Sequence, residues 1–165
     1  MSFLYYREAI GINCSSISIA KIRTMVEDAD SLYTNLCVAN GLDSHGKVIN
    51  DPRVTPLGRI LRRYWVDEVP QLYNLFNRDL KLVGIRPMRK VDWRNYPDDV
   101  RRRAMMQRPG LMGIQYAFPR SSKLEVQIEN MRKYLDEYYL DPFGTDLKYF
   151  RMISRAILID GVRSK

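Results

Sequence analysis

Residues 51–87 read DPRVTPLGRILRRYWVDEVPQLYNLFNRDLKLVGIRP, and they hold the densest set of structural signals in the chain. Thr55-Pro56 is a helix start, a threonine cap with proline at the first helical position. Leu57, Ile60, Leu61 and Tyr64 then recur at i, i+3, i+4 and i+7, the spacing of one buried face, with Arg59, Arg62 and Arg63 on the other side. A second short helix is expected to follow, with Leu72, Leu75 and Phe76 as its core face and Pro70 confined to its first turn. The acidic pair Asp67–Glu68 therefore falls at or just before a helix N-terminus. Leu82-Val83-Gly84 reads as a short strand ending in Ile85-Arg86-Pro87.

Upstream, short apolar stretches around Ile10/Ile12 and Ile17/Ile19 flank Asn13–Ser16, which suggests a hairpin within Phe3 to Ile22. Val26 to Val38 is expected to form a short helix with Glu27, Asp28 and Asp30 in its first turn, and Asn40 to Pro52 a loop. Downstream, Arg89 to Arg103 is strongly basic and helical after Pro97. Arg108-Pro109-Gly110 reads as a turn with glycine at its third position. Lys123 to Tyr139 is a longer helix, with Val126, Met131, Tyr134, Leu135 and Tyr138 as packing positions. Asp146 to Ile159 is an amphipathic one, with Leu147, Phe150, Ile153 and Ile157 in a stripe. The expected fold is α+β, mostly helical, with a short N-terminal β-hairpin. It is a single compact domain over residues 1–165 with amphipathic interfacial helices.

The 165 residues are 45% hydrophobic and carry a formal net charge of +8, so the chain can bury a core and seeks anionic partners. The two cysteines, Cys14 and Cys37, make no metal-binding pair, and the single histidine, His45, sits in a polar stretch. No zinc finger, aromatic RNA-binding signature or basic zipper accompanies the charge, which argues against nucleic acid. No glycine-rich nucleotide loop is present either. No apolar run reaches the ~18 residues of a membrane-spanning helix, and the N-terminus has no signal-peptide core. The expectation is a soluble or peripherally membrane-bound chain.

Adjacent carboxylates on a helix point about 100° apart, so Asp67 and Glu68 cannot share a proton as a dyad. They can divide work around a phosphate: one attacks phosphorus while the other holds a magnesium ion. The pair alone is better explained by the helix dipole, which favours acidic residues at a helix start. Arg62, Arg86 in a Gly-Ile-Arg-Pro turn, and Arg108 before Pro-Gly add guanidinium forks suited to phosphate.

Taken together, these motifs resemble the bacterial sugar transferase family, the monotopic phosphoglycosyl transferases or undecaprenyl-phosphate sugar phosphotransferases. The resemblance rests on Arg53, Thr55, Gly58, Leu61, Arg62, Asp67, Glu68, Pro70, Gln71, Leu72, Asn74, Asp79, Val83, Gly84, Arg86 and Pro87. Arg108-Pro109-Gly110 with Gly113, and Lys21-Ile22-Arg23-Thr24-Met25, extend it. It implies transfer of a sugar-1-phosphate from a nucleotide sugar, usually UDP-linked, to a polyprenyl phosphate at the cytoplasmic membrane face. It further implies that Asp67 is the nucleophile, that Glu68 helps bind Mg2+, that Arg62 and Arg86 contact phosphates, and that Lys21, with Arg23 in the same motif, lies near the site. Arg108 is the remaining phosphate candidate.

The chain departs from the pattern in three ways. The hydrophobic segment that enters and leaves one leaflet is not matched, which leaves anchoring to amphipathic helices. The hairpin has Arg7, Ala9 and Cys14 where Gln, Arg and Gly are usual, with Gly11 and Asn13 kept. Ile85 and Gln115–Phe118 replace the usual residues. The competing expectation is a non-catalytic homologue that binds phosphorylated ligands or a partner transferase.

Overall fold

A computed structural model describes residues 2–29, 31–41, 48–119, 121 and 123–159. His45 and Asp30 lie outside the described residues. The chain opens with the expected hairpin: β1 (Leu4–Ile10) pairs antiparallel with β2 (Ser16–Ile22), Arg7 opposite Ile19 and Tyr5 opposite Lys21. Its turn carries Asn13 (φ 54°) and Cys14 (φ 61°) in the left-handed region. A second, parallel pair joins β3 (Lys81–Gly84) to β4 (Gly110–Gly113). The helices are α1 (Tyr33–Asn40), α2 (Pro56–Arg63), α3 (Gln71–Phe76), α4 (Asp98–Met105), α5 (Leu124–Leu140) and α6 (Pro142–Leu158). Among the described residues no helix is long and apolar enough to cross a membrane.

The main core lies where α4, α5 and α6 close over β3 and β4. Val83, Ile85, Trp93, Val100, Ala104, Ile114, Tyr134, Leu135, Tyr149 and Ile153 are buried there. Two glycines permit the sheet: a Cβ on Gly110 would collide with the Gly84 backbone. Residues 108–110 enter this pairing instead of forming the expected isolated turn. Lys81 N–H donates to the Pro109 carbonyl (2.9 Å) and Gly110 N–H to that of Ile85 (2.8 Å), and Gly110 has no positive φ.

Four helices differ from their expected form. The helix expected from Val26 starts only at Tyr33. Val26 N–H is tied to the Arg53 carbonyl (3.0 Å), and the Arg53 guanidinium donates to the Ala29 carbonyl (2.8 Å), which holds residues 26–29 in turns. In α6 the buried stripe is Thr145, Tyr149 and Ile153, while Leu147 and Phe150 are exposed. Ile153 and the partly buried Ile157 keep their expected places.

The largest correction concerns α2 and α3, whose apolar faces point outward. Leu57, Ile60 and Tyr64 are 62%, 57% and 63% exposed, and Leu72 and Phe76 are 43% and 83% exposed. What these helices bury is polar or small. Gly58 sits where a Cβ would strike the Thr24 carbonyl. Asn74 is clamped to β2, its Nδ2 donating to the Ser18 carbonyl (2.8 Å) and to Asp79 (3.1 Å), its Oδ1 accepting from Ala20 N–H (3.4 Å). Periodicity reports that a helix has an apolar face but not what covers it.

Replacing Asn74 with leucine tests this inversion. If the buried face of α3 were apolar, the change would be neutral. With the Ser18 carbonyl and Ala20 N–H left unpaired, it should destabilise by about 2–3 kcal/mol, read from urea unfolding midpoints.

Candidate active site

The site forms where β2, α2 and the turn before α3 meet. Thr24, just past β2, is the junction. Its carbonyl accepts from the Thr55 hydroxyl (3.3 Å), which also caps α2 by accepting from Gly58 N–H (2.9 Å). Its own hydroxyl accepts from Arg62 Nε (2.9 Å), so the hairpin aims a cation from the last turn of α2. The chain then reverses at Trp65, which adopts φ 63° and packs edge-on against Tyr116, ring centroids 4.8 Å apart. A non-glycine residue in this region carries a strain of roughly 1–2 kcal/mol. The reversal sets Asp67 and Glu68 in a 3-10 turn, Val66–Glu68, directly ahead of α3, as expected for the pair.

The two carboxylates have opposite surroundings. Glu68 Oε1 lies 2.6 Å from Lys21 Nζ and 3.9 Å from an Arg86 guanidinium nitrogen. Burial alone would raise its pKa, but the Lys21 charge and hydrogen bond, with Arg86, outweigh that and hold it below the ordinary value. Asp67 is only 5% exposed, and its Oδ1 is buried with no hydrogen-bond partner. Burial raises its pKa, Lys21 and Arg62 pull it down, the adjacent Glu68 pushes it up, and the net shift is upward. Burial also lowers the pKa of Lys21, against the pull of Glu68. One acid is thus locked as an anion by a partner, and the other is an unsatisfied oxygen of raised basicity.

Both line a cleft of about 1200 Å³. Lys21, Arg23, Arg62 and Arg86 line it as well, so six of the seven candidate residues come together. Arg108 does not line it. It is exposed, and its charge acts on the Tyr138 phenol of α5. Sequence reasoning missed other parts of the wall. Arg7 projects from β1 on the strand face that carries Tyr5, a placement that period-two alternation could have supplied. Asp51 and Arg53 form a tight pair on the far wall, Nη2 to Oδ2 2.6 Å, and that bond is the chief reason the Asp51 pKa is low. With Arg59 and Arg63, seven arginines and Lys21 face the cleft against four acids, Glu27, Asp51, Asp67 and Glu68. Such a field suits a ligand with several negative charges.

The raised Asp67 pKa has a signed consequence. Its folded value lies above the ordinary 3.8, so ionisation opposes folding. Its contribution to stability is intact below the unfolded pKa and is lost as pH rises through the folded one. Asp67→Asn cannot ionise. It should therefore gain thermal stability relative to the parent as pH rises from about 4 toward 7, measured by calorimetry with chelator present. A difference that stays constant over that range would mean an unshifted carboxyl.

Comparison with known proteins places this geometry. The bacterial sugar transferase family model matches residues 1–158. Galactosyl transferase CpsE of Streptococcus agalactiae serotype III is 27% identical over 94% of this chain and 34% of its own length. An undecaprenyl-phosphate galactose phosphotransferase of Salmonella typhimurium is 30% identical over 83% of this chain and 29% of its own. Exopolysaccharide production protein ExoY of Rhizobium meliloti is 34% identical over 68% of this chain and 52% of its own. The chain thus spans from under a third to about half of these relatives' lengths. With a family model matched over nearly all its residues, the chain belongs to the bacterial sugar transferase family.

Proposed function

We propose that this chain transfers a sugar-1-phosphate from a UDP-sugar to a polyprenyl phosphate, with Asp67 as the nucleophile. The observation that carries the reading is Asp67 itself, largely buried with an unpartnered Oδ1, in the wall of a cation-lined cleft. An Asp67 oxygen forms a bond to the sugar-bearing phosphorus. The bond from that phosphorus to the UMP oxygen breaks, and UMP leaves with the electron pair. An oxygen of the lipid phosphate then attacks the same phosphorus and the carboxylate is returned. Arg62 and Arg86 offset the charge on the phosphate oxygens, which would otherwise repel the carboxylate. Lys21 keeps Glu68 ionised beside them.

Mg2+ fits this pair as a proposal. Among the described residues no group of three or more acidic, histidine or cysteine side chains gathers to cage a metal. Magnesium, however, takes one or two carboxylates and completes its shell with substrate phosphate and water. Glu68, with Asp67 beside it, supplies that donor set. The ion would add positive charge at the phosphate oxygens.

The acceptor is a lipid, so the surface around the pair matters. Val66 and Val69, on either side of Asp67–Glu68, are exposed, and so are Leu57 and Ile60 of α2 and Leu72, Tyr73 and Phe76 of α3, while Leu61 and Leu75 are half-buried. An apolar face next to Arg59 and Arg63 suits the boundary of an anionic bilayer. In this reading α2 and α3 lie in that interface at the cytoplasmic face, and the cleft opens beside it.

Two measurements test the proposal. Asp67→Asn should abolish UMP release from a UDP-sugar supplied with polyprenyl phosphate and Mg2+, and unchanged turnover would sink the mechanism. A parent protein that releases no UMP from any UDP-sugar at any metal concentration would instead favour the non-catalytic alternative. Ile60→Glu with Phe76→Glu should weaken co-sedimentation with anionic vesicles by at least about tenfold, since each exposed side chain would bury roughly 1.5–3 kcal/mol of apolar surface. Equal co-sedimentation would remove α2 and α3 from the interface.

A further inference from the structure

We propose that Arg7 binds a phosphate oxygen of the substrate beside Glu68, forming with Arg86 a clamp of two guanidiniums. The inference rests on the phosphosugar reading above and names a residue that stands where the hairpin motif usually has glutamine.

The strand register puts Arg7 there. In β1, Tyr5, Arg7 and Ala9 project to one face, opposite Lys21, Ile19 and Ile17 of β2. Ala9 and Ile19 are buried in a small apolar cluster with Leu80, which closes that end of the face. Two residues away, about 6.6 Å along a strand, Arg7 emerges toward the Lys21 end and lines the cleft. It also lines a narrow pocket behind Glu68, together with Gln71, Arg86 and Pro87.

The bonding of Arg7 is incomplete in a way that points to a ligand. Its Nη2 donates to the Pro87 carbonyl (2.8 Å), while its Nε is buried with no partner. Among the described residues it makes no ion pair. The two acids whose fields reach it are engaged elsewhere. Glu68 Oε1 is held by Lys21, and Asp92 is gripped by Arg89 through both oxygens. Arg86 is the chief like charge acting on Arg7. Two guanidiniums that line one pocket, one with an orphaned donor and the other only 3.9 Å from a Glu68 oxygen already held by Lys21, suit an anion with several oxygens, which is the chemistry of a phosphate.

Arg7→Gln removes the charge but keeps a donor able to reach the Pro87 carbonyl, and Arg7→Lys keeps the charge. UDP binding is measured by titration calorimetry, and the donor half-reaction by UMP release without lipid. Arg7→Gln is expected to weaken UDP binding about tenfold or more and to flatten its salt dependence, with Arg7→Lys recovering most of the loss. If UDP binding and UMP release hold but the KM for polyprenyl phosphate rises about tenfold, the oxygen belongs to the acceptor and the clamp stands. If both substrates bind Arg7→Gln as they bind the parent, the proposal is overturned and Arg7 is a strut to Pro87. If the parent neither binds UDP nor releases UMP, the phosphosugar reading fails by itself. Inorganic pyrophosphate then decides the clamp: weaker binding to Arg7→Gln upholds it, and equal binding overturns it.

Discussion

The ion pair between Lys21 and Glu68 holds the site together. It joins the end of the hairpin to the turn before α3 across a 2.6 Å contact, and both partners are largely buried. Burial works against each charge separately, and each partner's charge offsets part of that cost for the other. With Glu68 committed in this way, the neighbouring Asp67 is raised in basicity, and its Oδ1 has no hydrogen-bond partner. A single pair thus separates two adjacent carboxylates into an anchored anion and one of raised pKa. The Thr24 junction adds the third element, since it connects the same hairpin to the Arg62 side chain.

The inverted helices follow from the same arrangement. The polar ends of α2 and α3 are needed inside, for Arg62 at Thr24 and for Asn74 against β2. A helix with its polar groups turned inward has only its other face left for apolar residues. Leu57, Ile60, Tyr64, Leu72 and Phe76 are exposed because the inner face is already occupied. Exposed apolar residues scattered singly need no explanation, but a run of them along two successive helices does. A membrane boundary satisfies both halves of the pattern at once.

Much of this was legible in the sequence, and each failure has a physical cause. The hairpin, β3, α4 and α5 follow from local pattern, and the cap at Thr55 is where the sequence signal puts it. Lys21, Arg23, Arg62 and Arg86 could be assigned to the site because ordered motifs tie distant segments together. Arg108 belonged to a motif too, yet its segment enters the β4 pairing and leaves the side chain on the Tyr138 side. The direction of α2 and α3 was illegible because spacing cannot distinguish a protein core from another apolar medium. Arg7 was read as a substitution in a motif rather than as a position on a strand face. Asp51 gave no signal and Arg53 counted only as a motif residue, since only folding turns their two-residue spacing into one wall of the cleft.

The hairpin departures can now be separated by their physics. Cys14 stands at φ 61°, a backbone position where a Cβ is strained, so the usual glycine there serves the turn. Its replacement costs roughly 1–2 kcal/mol of stability. Cys14 does not line the cleft, so the cost falls on the fold rather than the chemistry. Ala9 is packed against Ile19 and Leu80, and it fills its space without facing the cleft either. Neither change touches the Lys21–Glu68 pair or the Asp67 oxygen. The hairpin's remaining duty is to hold Lys21 in register, and the seven paired positions from Leu4–Ile22 to Ile10–Ser16 do that without help from Ala9 or Cys14 as side chains.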